Sequence, residues 1–170
     1  SQSVNASGDE KAQALRLAGL SISEGATFTM NGSLLELADR IDPGFAKTGT
    51  LRNAGTLKLA PKRTSDTATN FAIRHVYGNY VGLGGTIDIR AALGTGNGDK
   101  KGEATVGVTS DALVVHGRAT GSVLFSIDLQ HEDLNRGALE RMVLLRATDG
   151  GDLTYALVDG PIESGGNTYF

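Results

Sequence analysis

The side chains best equipped for chemistry are three histidines, His75, His116 and His131, and a scatter of carboxylates. His131-Glu132-Asp133-Leu134-Asn135 is one residue short of H-E-x-x-H. That spacing puts two imidazoles on one zinc ion, with the glutamate as base. Asn135 stands where the second histidine is needed, so the stretch is expected to be an exposed polar turn. His75 and His116 adjoin apolar strands, and with Asp88 or Asp111 either could imitate half of a catalytic dyad. No G-x-S-x-G elbow accompanies them and no serine stands out, so both are expected to be outward strand residues or hydrogen-bonded turn residues. Asp66, Asp88 and Asp128 could line a carbohydrate-cleaving groove, which needs two acids at a fixed separation, but their spacing fixes no such pair.

Two further stretches invite a binding role. Leu93-Gly94-Thr95-Gly96-Asn97-Gly98-Asp99-Lys100-Lys101 has the composition of a phosphate loop without its spacing, and no helical pattern follows it. It reads as a flexible loop. Asn97 and Asp99 could take calcium weakly, but the nonapeptide of calcium-binding β-rolls is missing. Lys58, Lys62, Arg63 and Arg52 form a modest basic patch around Pro61, while Arg74, Arg90 and Arg118 are scattered. A solvated outer face is the ordinary meaning of such charges, with a host partner or lipopolysaccharide as the functional one. The expectation is a non-enzymatic chain with no catalytic residue, no cofactor, no metal site and no small-molecule substrate.

The elements that must carry these residues are legible in composition and period. Glycine supplies 24 of 170 residues, aromatics only 5%, and cysteine and tryptophan none. A chain without cysteine has no disulfide scaffold, no all-cysteine zinc site and no cysteine nucleophile. A net charge of −3 with no basic cluster argues against nucleic acid. Mean hydropathy is −0.12, and no apolar run approaches the length of a spanning helix. No basic start followed by an apolar run marks a signal peptide. The polar beginning and the aromatic end, Tyr169-Phe170, suggest a piece of a longer chain.

Alternation of period two dominates. Gly55-Thr56-Leu57-Lys58-Leu59, Gly85-Thr86-Ile87-Asp88-Ile89 and Gly121-Ser122-Val123-Leu124-Phe125-Ser126-Ile127 each open on a glycine, and Gly19-Leu20-Ser21-Ile22 is a shorter version. Period two sends one set of side chains inward and the polar set outward. Other strands fit between these blocks: Thr27-Phe28-Thr29-Met30, Leu35-Glu36-Leu37, Phe71-Ala72-Ile73, Ala104-Thr105-Val106-Gly107-Val108 and Leu113-Val114-Val115. The glycine blocks recur roughly every 30–36 residues, the signature of a solenoid. A parallel β-helix accounts for the composition. Tight corners need glycine, and a narrow core of stacked aliphatic side chains leaves little room for large rings. A β-sandwich also alternates, but it would not by itself repeat the block.

The last third departs from this pattern. Leu134, Ala138 and Leu139 stand at helical spacing, with acidic residues before and arginine after, which suggests a turn or a one-to-two-turn helix weakened by Gly137. Met142-Val143-Leu144-Leu145 and Leu153-Thr154-Tyr155-Ala156-Leu157 flank Asp149-Gly150-Gly151-Asp152, and Asp-Gly-Gly is hairpin chemistry. The division expected is β-helix coils over residues 1–100 and a capping region over 101–170, with hairpins and a short inserted helix or turn.

Three stretches carry a family resemblance. Gly49-Thr50-Leu51-Arg52-Asn53-Ala54-Gly55-Thr56-Leu57-Lys58-Leu59 resembles the passenger β-helix of bacterial autotransporters, the type V secretion proteins. Asn79-Tyr80-Val81-Gly82-Leu83-Gly84-Gly85-Thr86-Ile87 is similar to the stretch that opens the pertactin-like C-terminal part of such passengers. Ser110-Asp111-Ala112-Leu113-Val114-Val115-His116-Gly117-Arg118-Ala119-Thr120-Gly121 resembles a later element of the same part. Gly166-Asn167-Thr168-Tyr169 matches the closing motif less well, with Thr168 where an aromatic is common.

The resemblance runs from about Leu51 to Phe170 and implies an all-β fold, a right-handed parallel β-helix with a hairpin-rich C-terminal cap. It also implies an autochaperone role: a folding nucleus and cap that promotes passenger folding and secretion across the outer membrane. The expected partners are upstream coils and a downstream outer-membrane β-barrel. The expected place is the bacterial cell surface or the medium, reached through the periplasm. An adhesin-like module that binds a host protein is the alternative, with a carbohydrate-active β-helix behind it.

Overall fold

A computed structural model describes residues 14–17, 19–32, 34–37, 49–59, 71–91, 94–103, 110–129, 133–141, 143–164 and 167–169. The first strands are β1 (Ala14–Leu17), β2 (Leu20–Ile22), β3 (Thr27–Thr29), β4 (Leu34–Leu37), β5 (Thr50–Asn53) and β6 (Thr56–Lys58). The middle of the chain forms β7 (Ile73–Tyr77), β8 (Asn79–Ala91), β9 (Gly94–Glu103), β10 (Ala112–His116), β11 (Ala119–Leu129) and β12 (Asp133–Arg141). It ends in β13 (Leu145–Ala147), β14 (Leu153–Leu157), β15 (Ile162–Ser164) and β16 (Asn167–Tyr169). No helix occurs among the described residues.

These strands form two large parallel sheets. The first has five strands in the order β1-β4-β7-β10-β13. The second runs β14-β11-β8-β5-β2, with β3 and β6 paired beside it and β6 also paired to β8. The chain therefore visits the first sheet, crosses to the second, and returns to the first one strand further along. β9 and β12 pair in parallel as a separate two-stranded sheet. β15 and β16 are an antiparallel pair.

The alternation read from the sequence sets the register. Phe28, Leu57, Ile87, Phe125 and Leu157 occupy one row across successive strands of the second sheet. Leu20, Leu51, Tyr80 and Ala119 occupy another. Leu35, Val76, Val115 and Ala147 form the matching row of the first sheet. The inward members join in one apolar core between the sheets. A fully buried Leu or Ile in such a row contributes about 1.5–3 kcal/mol. Burial thins at the last strand: Tyr155, paired in register with inward Val123, is 64% exposed.

Three expectations are corrected. Asp133–Arg141 is strand β12, not a turn or helix. Parallel pairing with β9 supplies backbone partners that a short helix containing Asn135 and Gly137 would have to find within itself. Gly94–Glu103, read as a flexible loop, is the other half of that pair. Asp149-Gly150-Gly151-Asp152 does not close a hairpin, because β13 joins the first sheet and β14 the second. Gly150 and Gly151 do take positive φ, 71° and 129°, but they turn a corner between sheets.

The four glycines that suggested the repeat are also not equivalent. Gly121 pairs with Gly82 rather than Gly85, because Gly84 (φ 79°) is an extra residue that shifts the register between β8 and β11. Such a bulge bends the strand and restores the inward phase beyond it.

Candidate functional site

Three polar constellations depend on this register, and each unites residues far apart in sequence. The first lies on the outer face of the first sheet. His75 and Tyr77 stand two apart on β7, so both leave the same face. His116 on β10 pairs in register with Tyr77. The Tyr77 and His116 rings stack with centroids 4.1 Å apart and planes 4° from parallel. His75 Nδ1 and His116 Nε2 lie 3.0 Å apart, one donating to the other. All three rings are partly buried. Burial holds the His75 imidazole below its ordinary value, and the neighbouring His116 ring pushes the same way.

The second constellation closes the corner where β8 hands the chain on to β10. Asp111, buried just before β10, accepts from the Ala72 amide (2.7 Å) and the Arg90 amide (2.9 Å). It also takes both arms of the Arg90 guanidinium, Nε at 2.7 Å and Nη2 at 2.8 Å. A carboxylate holding four donors is an anchor rather than a base. Arg74 donates from Nε to the Leu59 carbonyl at 2.6 Å. Burial lowers the Arg74 pKa; the Asp111 charge opposes that fall and the Arg90 charge adds to it.

The third lies inside. Asn53 Nδ2 donates to the Tyr80 hydroxyl and to the Thr86 carbonyl, each at 3.1 Å, while the buried Asn53 Oδ1 has no hydrogen-bond partner. Burial pushes the Tyr80 hydroxyl up to about 12, against the bond from Asn53, which lowers it. An unfolded tyrosine titrates near pH ~10. Between those values the folded chain keeps a proton that the unfolded chain has lost. Stability is therefore fully present below pH about 10 and falls as pH rises towards 12. The expected loss is about 2–3 kcal/mol. Urea unfolding of the parent and of Tyr80→Phe across this range measures it, and an equally steep decline in both would refute the assignment.

The residues singled out by sequence fall as follows. His75 and His116 do face outward, but they partner each other; the aspartate near His116 in sequence belongs to Arg90. Arg74 and Arg90, read as scattered, gather around Asp111. Asp88 and Asp128 lie on adjacent strands of the second sheet, Asp128 in register with Arg90. Burial raises the Asp88 carboxyl, Lys58 lowers it and Asp128 raises it. Lys58 is the in-register neighbour of Asp88, so this acid stands beside an opposite charge on the outer face. Asp66, Lys62, Arg63, His131 and Glu132 lie outside the described residues, as do the side chains of Asn97 and Asp99. No group of three or more His, Asp or Glu able to hold a metal occurs among the described residues.

Sequence reading missed the Asn53 and Tyr80 pair and the Asp111 anchor. The available signal was an Asn on an inward phase and an Asp just before an apolar strand. No protein-family model matches the chain, and no curated protein matches it by sequence.

Proposed function

We propose that this chain is a right-handed parallel β-helix segment of a bacterial autotransporter passenger, acting as a non-enzymatic folding nucleus and C-terminal cap. The observation that carries the reading is the in-register row of Phe28, Leu57, Ile87, Phe125 and Leu157, one residue per rung of the second sheet. A stack of this kind draws its stability from each rung and from the interface to its neighbour. Its first rung is the costly one, since it closes a long loop with nothing beneath it. A segment that folds by itself removes that cost for every coil laid on it. If it reaches the cell exterior first, growth of the stack biases transport outward without ATP. The hairpin of β15 and β16 follows the last rung directly and is the natural lid for its open edge. On this reading the partners are the upstream coils and an outer-membrane barrel, and the place is the cell surface or the medium.

The test is made in two arms. The chain alone is expected to unfold in one cooperative urea transition, and its deletion from the parent passenger to abolish surface display of the upstream part. A chain that is unfolded in isolation, or a deletion that leaves display intact, overturns the reading.

A second reading, a module that binds a host protein, is favoured by β9. An extended stretch ordered by pairing with β12 offers a fixed surface where a flexible loop would not. Replacement of residues 94–103 by a short linker would then abolish binding of a purified host ligand while the urea transition is retained.

A further inference from the structure

The geometry points to a divalent transition-metal site on the outer face of the first sheet, formed by His75 Nδ1 and His116 Nε2 as two adjacent ligands of one ion. The two nitrogens are 3.0 Å apart. Metal–imidazole bonds of about 2.1 Å place neighbouring nitrogens about 3.0 Å apart at a right angle and about 3.4 Å apart at the tetrahedral angle. The observed separation is that of the N–H···N hydrogen bond, and it also matches cis positions in a square or octahedral sphere, the geometry that copper(II) and nickel(II) prefer. Binding moves the donor ring's proton to its other ring nitrogen and turns both rings about χ2, so that two lone pairs converge on one ion.

Several features hold the pair ready. Both histidines stand on neighbouring strands locked in register, Ile73 to Tyr77 against Ala112 to His116. The backbone therefore fixes the positions of the two Cα atoms before any ion arrives, so that only side-chain freedom remains to be lost on binding. Tyr77 stacks on the His116 ring and lies 6.3 Å from that of His75. Partial burial and the neighbouring ring favour neutral His75, whose lone pair a metal requires. Water completes the coordination sphere, because the described residues supply no third acid or imidazole. The site is accordingly exchangeable, and its selectivity follows intrinsic affinity, copper(II) above both nickel(II) and zinc. This goes beyond the folding role proposed above and does not depend on it.

The experiment uses the tag-free chain with CuCl2 and NiCl2. Calorimetry is expected to show one equivalent of each ion bound, copper more tightly, and the electron paramagnetic resonance spectrum of the copper form to show coupling to two imidazole nitrogens. His75→Gln and His116→Gln are each expected to weaken binding at least about tenfold, the loss of one of two ligands, while His131→Gln leaves it unchanged. Urea midpoints in EDTA establish that the variants are folded. If His116→Gln fails to fold for want of its stack on Tyr77, His75→Gln decides alone. No binding by the parent chain, binding that survives His75→Gln, or binding lost in His131→Gln would overturn the assignment.

Discussion

Asp111→Ala is expected to cost about 3–5 kcal/mol of stability, the range for removing one partner of a buried ion pair. The side chain is 1% exposed and the Arg90 side chain 13%, so water does not replace what is lost. The substitution strands the Arg90 guanidinium and the amides of Ala72 and Arg90, all of which now donate to this carboxylate. It also removes the negative charge that offsets the Arg74 cation. Asp111→Asn should be only slightly better, because its amide nitrogen presents hydrogens to groups that are themselves donors. The double variant Arg90→Met with Asp111→Leu should recover only part of the loss, since no buried charge of that pair then lacks a partner but the amides of Ala72 and residue 90 still do. Urea denaturation of the single and double variants measures all three. An Asp111→Ala variant within about 1 kcal/mol of the parent would show that the anchor is dispensable.

The anchor shows what a linear reading reaches and where it stops. Period two placed Leu57, Ile87, Val123 and Phe125 inward, and all four are buried. That inference needs only local chemistry, because a strand's faces are fixed by its pleat. The Asp111 and Arg90 pair, the facing histidines, and Asn53 with Tyr80 all require knowing which residue of one strand stands beside which residue of its neighbour. The pairing register sets that correspondence, and here a bulge at Gly84 displaces it within a single strand pair. His75 and His116 are 41 positions apart, and nothing local announces that they meet.

Two of the structural misreadings have a related origin. Leu134, Ala138 and Leu139 satisfy a helical spacing, and Asp149-Gly150-Gly151 satisfies a hairpin turn. Each is a local preference that admits more than one tertiary use. A neighbouring strand drew the first into a parallel pair. The second met its demand for positive φ at a corner, where Gly151 also runs so close to Ala119 that a Cβ would fall 1.9 Å from its carbonyl oxygen.

The same distinction between backbone conformation and close approach yields a second large effect. Gly121→Ala and Gly84→Ala place a methyl group on glycines of nearly equal conformation, φ 87° and φ 79°. Each forces an L-residue into left-handed space at a cost of about 1–2 kcal/mol. At Gly84 nothing lies within 4 Å of the new Cβ, so the cost ends there. At Gly121 the Cβ would fall 2.0 Å from the Gly82 carbonyl oxygen, which is backbone and belongs to the strand paired in register with it. Relief requires the β8 and β11 ladder to part at its bulge, adding about 1–3 kcal/mol of the kind that overpacking costs. Gly82→Ala isolates the second effect, since its φ is not positive but its Cβ would meet the Ser122 carbonyl oxygen at 2.2 Å. The expected order of loss is therefore Gly121→Ala first, with Gly82→Ala and Gly84→Ala both smaller. Equal losses at Gly121 and Gly84 would mean that the rungs part freely at this point. The rigid stacking on which the folding-nucleus proposal depends would then fail at its central strand pair.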